Sequence, residues 1–387
     1  MSSFIHSVRS AAQTLAGAWR TQPESGSALS SQLMVSSSKD TRFEHILVLN
    51  VPFPDAHRAL LDKHAKSITH IPNPRETPVP DAEYRKATAI YGSPVGLKRW
   101  EQVPNLKFVQ LDSAGADGVV REKMWHEEGA ERVVMATVAG VHMAPISQYF
   151  IMTTLALFHH LQEQILVSQV DKRWGKDAEF GGRLFVQELK DKIVGVLGYG
   201  HIGRECARLS AAFGAKVLAA TSDGQKKPQA GYVEEGMGDP DGSIPEGWFS
   251  TKDETSFREF LSKSDVLLLA LPSTGATHHI LSSTTLSHLP AHAIVVNIGR
   301  GDVIDTQALL KALDDKKLAG AALDVVEEEP LPDGHPLFGR KNVLLTPHLS
   351  GRTTMYFERG IQICAENLRR LREGEEVWNQ VDFKRGY

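Results

Sequence analysis

The chain has 387 residues, enough for two domains of ordinary size, and its 41% hydrophobic and 23% charged residues exclude the disordered, collagenous and coiled-coil classes. With 43 basic against 47 acidic side chains and a net charge of -4, there is no concentrated basic surface for nucleic acid or anionic lipid. No apolar run approaches the roughly 18 residues of a membrane-spanning helix, so no membrane span is expected and a small-molecule ligand is.

Residues 1–42 read as a segment of their own. Met1–Asp40 is rich in Ser and Ala, carries Arg9 and Arg20, and has no acid before Glu24. Phe4, Ile5, Val8, Ala12, Leu15 and Trp19 fall at helical spacing, as in an amphipathic organelle-targeting (mitochondrial) presequence. The same stretch also fits an unordered tail, with the protein then cytoplasmic. From Glu44 onward, apolar runs at 45–50, 68–71, 87–92, 107–113 and 132–138 predict five strands of a parallel sheet. The apolar stretch 146–164 predicts a long helix leaving that unit.

A second series of strands is predicted at 192–197, 216–220, 265–271, 293–298, 319–326 and 342–346. Between the second and third of these, 223–256 is rich in Gly, Pro and Asp and reads as an insertion. An amphipathic helix over 356–372 places Ile361, Ile363, Leu368 and Leu371 near one face and suits a return to the first domain. The expected layout is therefore 43–150 plus 352–387 as one discontinuous domain, with 151–351 inserted into it. Cys206 and Cys364, the only cysteines, cannot form a disulfide framework. They are expected to be buried hydrophobes in a reducing compartment. No repeat, heptad or metal-ligand spacing is evident.

Val194–Gly203 reads VGVLGYGHIG, placing Gly198, Gly200 and Gly203 in the GxGxxG pattern between a strand and a helix. In that context the first glycine makes the tight turn, the second lets backbone approach a pyrophosphate, and the third lets helix and strand pack. Amides near His201 and Ile202 can then face phosphate. Three polar residues follow later strands, at the carboxyl edge where open α/β sheets bind ligands. Arg300 in NIGRGDVID offers a fork for a carboxylate, Glu329 in LDVVEEEP offers an acid, and His348 in TPHLSG offers a proton carrier. Singly, each also fits a surface or capping role.

In the order and content of these motifs the chain resembles the D-isomer-specific 2-hydroxyacid dehydrogenase family, from about Glu44 onward apart from the insertion. The resemblance implies an α/β fold of two doubly wound parallel-sheet domains, a Rossmann NAD(P)-binding domain inserted into a discontinuous flavodoxin-like catalytic domain. It implies Arg300, Glu329 and His348 as catalytic residues and the turn of Ser113, Ala114 and Gly115 as donors to the substrate carboxylate. It also implies a cofactor site from the glycine motif, Thr221, Ser222, Leu271, Pro272, Ile298, Gly299, Arg300, Asp324, His348, Ser350 and Gly351, with Asp324 at the nicotinamide carboxamide. A homodimer joined near 146–164 is implied as well. Two positions depart from patterns common in the family: Gln148 stands where a glutamate is frequent, and Gly92 where some members carry a substrate-reading arginine.

The expected activity is interconversion of a small 2-oxo acid and its D-2-hydroxy acid with NAD(P)(H). Related folds also serve as nucleotide-sensing transcriptional corepressors, which is the competing reading. Cofactor choice rests on the strand after the glycine motif, where an acid would favour NAD and exclude the 2'-phosphate. Thr221 and Ser222 stand there instead, with Lys226 and Lys227 beyond, so NADP(H) is favoured; Asp223 argues the other way.

Overall fold

The computed structural model describes residues 40–177 and 185–383; the two readings of the N-terminal segment lie outside the described residues. The first domain comprises β1 (Ile46–Leu49), α1 (Asp55–Leu61), β2 (Ile68–Ile71), α2 (Asp81–Lys86), β3 (Ala89–Tyr91), β4 (Phe108–Gln110), α3 (Asp117–Val120) and β5 (Val134–Ala136). Its strands are all parallel in the order β2-β1-β3-β4-β5, the flavodoxin-like winding. β1 is an uninterrupted apolar run, ILVL, because helices cover both faces of such a sheet.

The chain then passes to the second domain. The expected helix 146–164 is two helices, α4 (Met143–Phe158) and α5 (Leu161–Gln169), broken where His160 adopts a left-handed φ of 51°. α4 packs Ile146, Tyr149 and Phe150 on Val194, Val196 and Leu268 of the second sheet, so the passage between domains falls before Met143. Most of α4 is buried within the chain, whereas α5 exposes Leu161, Ile165 and Leu166.

The second domain continues with β6 (Ile193–Leu197), α6 (His201–Ala212), β7 (Lys216–Thr221), β8 (Gly247–Ser250), α7 (Glu254–Lys263), β9 (Val266–Leu269), α8 (Ser283–Leu286), β10 (Ile294–Asn297), α9 (Thr306–Asp314), β11 (Gly320–Leu323) and β12 (Val343–Leu345). Seven parallel strands run β12-β11-β10-β9-β6-β7-β8, reversing direction of winding between β6 and β9. Ligands bind in open sheets at such a reversal, beyond the carboxyl ends of the strands. Finally α10 (Tyr356–Glu373) returns Ile361, Cys364 and Leu368 to the first sheet, against Ile46, Val48 and Phe108. The fold is thus two doubly wound domains, the second inserted in the first. Both cysteines are buried free thiols, and burial pushes both well above the usual thiol range.

The expected insertion 223–256 needs correcting at its far end. Residues 247–250 pair with β7 as an edge strand and α7 begins at Glu254, capped by Asp253, so the irregular segment is 222–246. This segment is a strap between domains. On the second-domain side, Arg204 of α6 donates to the carbonyls of Asp239 (2.5 Å) and Lys227 (2.7 Å). The buried carboxylate of Asp239 accepts from Tyr199 Oη (2.7 Å) and from the Ser243 and Ile244 amides. On the first-domain side, the Tyr232 amide donates to Asn379 Oδ1 (3.2 Å) and Arg359 of α10 pairs with Glu234 (3.0 Å). Asn379 and Arg359 also donate to the carbonyls of Ala139 and Val141, on the passage between domains. The strap therefore runs from the end of β7 to the hinge.

Candidate active site

Between the domains lies a cleft of about 1940 Å³, beyond the roughly 300–1,000 Å³ of an ordinary small-molecule pocket. It has room for a dinucleotide beside a small acid. Every site residue expected from the sequence lines it.

The glycine turn fits a dinucleotide. Gly198 has φ +100°, and a Cβ there would lie 2.5 Å from the Ala270 carbonyl oxygen, so the turn leaving β6 requires glycine. A Cβ on Gly203 would meet the Gly198 oxygen at 2.2 Å, which is the close packing of α6 on β6. At Gly200, by contrast, nothing stands within 4 Å of that position, which faces the open cleft at the start of α6. Space for a phosphate therefore lies against free amides at a helix N-terminus. The His201 ring turns the other way: it is buried close to Gly231 of the strap, and that burial lowers its pKa.

β7 ends at Thr221, where a ribose would be read. Asp223 there is engaged: its carboxylate accepts from Lys227 Nζ, the Gln225 amide (3.1 Å) and Thr221 Oγ1 (3.2 Å), and these bonds, Lys227's first, hold its pKa down near 2. Lys227 lines the cleft; Lys226 does not, and faces Gly242 and Asp241 instead.

Arg300 follows β10, in a turn fixed by buried Asn297, whose side chain bonds the Arg300 carbonyl (2.9 Å) and the Gly299 amide (3.1 Å). Its guanidinium reaches across the cleft to Asp117 Oδ1 (2.9 Å) of the first domain. It lies so close to the 113–115 turn that a Cβ on Gly115 would sit 2.2 Å from Nη2. Burial pushes the Asp117 carboxyl up, but the Arg300 hydrogen bond and charge outweigh it and the net shift is downward. The turn is braced by Ser113 Oγ donating to the Gly115 carbonyl (2.6 Å).

His348 sits after β12 with a left-handed φ of 54°, and its Nδ1–H donates to Glu329 Oε2 (2.9 Å). The other Glu329 oxygen accepts from the Val326 amide (3.1 Å), so the carboxylate is held on both sides. The ring's Nε2 is then left for a proton at the cleft. Asp324 at the end of β11 supports this loop: Oδ1 accepts from Thr346 Oγ1 (2.6 Å) and the Leu349 amide (3.0 Å), Oδ2 from the Ser350 amide (3.0 Å) and hydroxyl. With these four bonds its acceptor sites are full, so a carboxamide contact there would displace one of them.

Three further cleft residues were not anticipated from the sequence. Asp117, His142 and Tyr356 all line the cleft. His142 Nδ1–H donates to the Gly351 carbonyl (3.0 Å), and the ring stacks on Tyr356 at 4.8 Å. Burial, aided by nearby Arg359, lowers the His142 pKa to about 4, so the ring is neutral at pH 7. Tyr356 donates to the Asp112 carbonyl, joining α10 to β4's loop. Of the two departures, Gly92 has a steric reason: its φ is +109° and a Cβ would lie 2.0 Å from the Leu49 oxygen, so no arginine fits. Gln148 is exposed on α4.

A cleft with room for a dinucleotide beside the glycine turn, with Arg300 on one wall and the Glu329–His348 pair on another, defines a nicotinamide-dependent oxidoreductase. The model of the D-isomer specific 2-hydroxyacid dehydrogenase, NAD binding domain, matches residues 151–241 and 244–350. The chain belongs to the D-isomer specific 2-hydroxyacid dehydrogenase family and uses NAD(P)(H). A glyoxylate reductase of Thermofilum pendens is 32% identical over 279 residues, 71% of this chain and 74% of that one. A glyoxylate reductase of Aeropyrum pernix is 29% identical over 349 residues, 87% of this chain and 95% of that one. A D-isomer specific 2-hydroxyacid dehydrogenase of Xanthobacter autotrophicus, solved with NADPH and MES, superposes with TM-score 0.69 at 25% identity, covering 89% of this chain and all of that one. Nothing in these relatives favours the corepressor reading. Among the described residues, no helix is long and apolar enough to cross a membrane.

Proposed function

We propose that this chain reduces a small 2-oxo acid of the glyoxylate or hydroxypyruvate class to its D-2-hydroxy acid, with NADPH as the preferred donor. The observation that carries the reading is the His348–Glu329 pair facing the same cleft as Arg300. The names of the relatives, glyoxylate reductase and hydroxypyruvate reductase, support the substrate class.

When bound, the reduced nicotinamide supplies the hydride to the carbonyl carbon. Arg300 grips the substrate carboxylate and stabilises the negative charge that grows on the carbonyl oxygen. The amides of Ser113, Ala114 and Gly115 complete the carboxylate site from the first domain. His348 Nε2 delivers the proton, and Glu329, bonded to Nδ1, orients the ring. Asp117 is a positioning residue that holds the guanidinium against the 113–115 turn. Asp324 fixes the loop that carries His348.

For the cofactor, the uncharged Thr221 and Ser222 and the neutralisation of Asp223 by Lys227 favour a 2'-phosphate. Lys227, alone of the two lysines, stands in the cleft to meet it. The activity test is oxidation of NADPH and of NADH by glyoxylate, hydroxypyruvate and pyruvate. Higher kcat/KM with NADPH is expected, falling about tenfold in Lys227→Ala, the scale of one phosphate ion pair. His348→Ala is expected to lower kcat by about a hundredfold or more while the cofactor Kd stays within twofold. Wild-type turnover in that variant would remove His348 from the reaction, and cofactor binding without turnover in the native chain would revive the corepressor reading.

The chain is further proposed to act as a homodimer in a reducing compartment, the cytoplasm unless residues 1–42 direct it to mitochondria. α5 and the segment after it expose Leu161, Ile165, Leu166 and Val170, and α4 is too buried to supply the contact alone. Light scattering of Leu166→Asp, expected to be monomeric, tests the first point; a fluorescent fusion of residues 1–42 tests the second.

A further inference from the structure

Three metal-ligating side chains outside the catalytic set meet on the surface of the second domain. His278 and His279 lie between β9 and α8, and Glu327 lies beyond β11, 48 residues further along the chain. His279 Nε2 is 2.9 Å from Glu327 Oε1, His278 Nε2 is 3.8 Å from the same oxygen, and one donor atom from each residue falls within 4.8 Å of the others. Adjacent residues of an extended strand point to opposite sides. Here His279 takes a left-handed φ of 49°, its amide bonded to the Asp302 carbonyl (2.8 Å), and both rings stack at 3.9 Å on one side of the chain.

Zinc bound tetrahedrally by imidazole nitrogen and carboxylate oxygen at about 2.0–2.2 Å sets its ligand atoms about 3.3 Å apart. The separations of 2.9 and 3.8 Å from Glu327 straddle that value, and all three donor atoms already lie within 4.8 Å of one another. The side chains are 53%, 34% and 38% exposed, which leaves an entry path from solvent and a fourth position for water.

We propose that His278, His279 and Glu327 form a binding site for one divalent transition-metal ion, with zinc the best match to two imidazoles and one carboxylate. An ion there staples two cleft-lining segments together: Thr274 and Thr277 belong to one, Val326 and Glu329 to the other. Glu327 is two residues from Glu329, so the staple acts on the loop that orients His348, while neither Glu329 nor His348 is a ligand.

The full chain, stripped with chelator, is titrated calorimetrically with zinc chloride and melted with and without it. One equivalent per chain at micromolar Kd or tighter is expected, with a rise in Tm because the ion binds only the folded chain. His279→Ala and, separately, Glu327→Gln should each weaken that equivalent by about tenfold or more while circular dichroism is unchanged. His348→Ala should retain it. Failure of the native chain to bind zinc overturns the proposal, as does an equivalent that survives unchanged in both surface variants or disappears in His348→Ala.

Discussion

His142 is a histidine kept neutral by its surroundings, and the consequence can be measured. Its folded pKa of about 4 lies below the unfolded value of about 6.5. Above about pH 6.5 neither state binds the proton; between there and pH 4 only the unfolded state does, so stability falls as the pH drops through that window. The full loss is up to about 3 kcal/mol. His142→Asn can still donate to the Gly351 carbonyl but does not titrate, so its denaturation midpoint should change less between pH 7 and pH 5 than the native chain's. Equal slopes would show that the ring is already solvated. At this scale the cleft was legible where a polar residue follows an apolar strand: Arg300, Glu329 and His348 each do, and each lines the cleft. His142 and Asp117 were not, because what marks them is a partner far away in sequence, Gly351 at 209 residues and Arg300 at 183. For Asp324 and His201 the sequence marks a strand end and a helix start, but whether the side chains face the cleft or their neighbours depends on the loop that closes over them.

At the scale of elements, the strand-turn-helix unit of β6 and α6 separates binding from folding within one motif. Gly203→Ala would put a methyl 2.2 Å from the Gly198 oxygen, and a cost of about 1–3 kcal/mol in stability is expected, read as a lower denaturation midpoint. Gly200→Ala meets nothing in the chain, so its midpoint should hold while the Kd for NADPH rises by at least about tenfold, the methyl having entered the phosphate space. A matching loss of stability in both variants would make the turn a packing device only. Strands buried on both faces were legible as unbroken apolar runs, as in the VLLL of β9. β8 was not: GWFS is half-buried along its length at the sheet edge, short, and preceded by an irregular segment. The break between α4 and α5 escaped for a different reason, since apolar residues continue through it and only the backbone of His160 turns.

For the whole molecule, the strap from 222 to 246 ties together two places that the strand order keeps apart. One end carries Lys227, which lines the cleft beyond the end of β7; the other carries Tyr232 and Glu234, bonded to Asn379 and Arg359 at the passage between domains. We expect a displacement of one end to reach the other, and such a coupling is reciprocal: if cofactor makes closure over a carboxylate easier, the carboxylate tightens the cofactor by the same factor. Saturating oxalate, a non-reacting small carboxylate, should lower the NADPH Kd of the native chain by about fivefold or more, within the usual range of such couplings. In Glu234→Gln, which breaks the ion pair to α10 and leaves the cleft untouched, the NADPH Kd without oxalate should stay within twofold while the oxalate effect shrinks toward none. A coupling undiminished in that variant would assign the communication to the two covalent crossings alone. The segment that looked in the sequence like padding between two strands would then be the part of this chain that sets how strongly its two ligands cooperate.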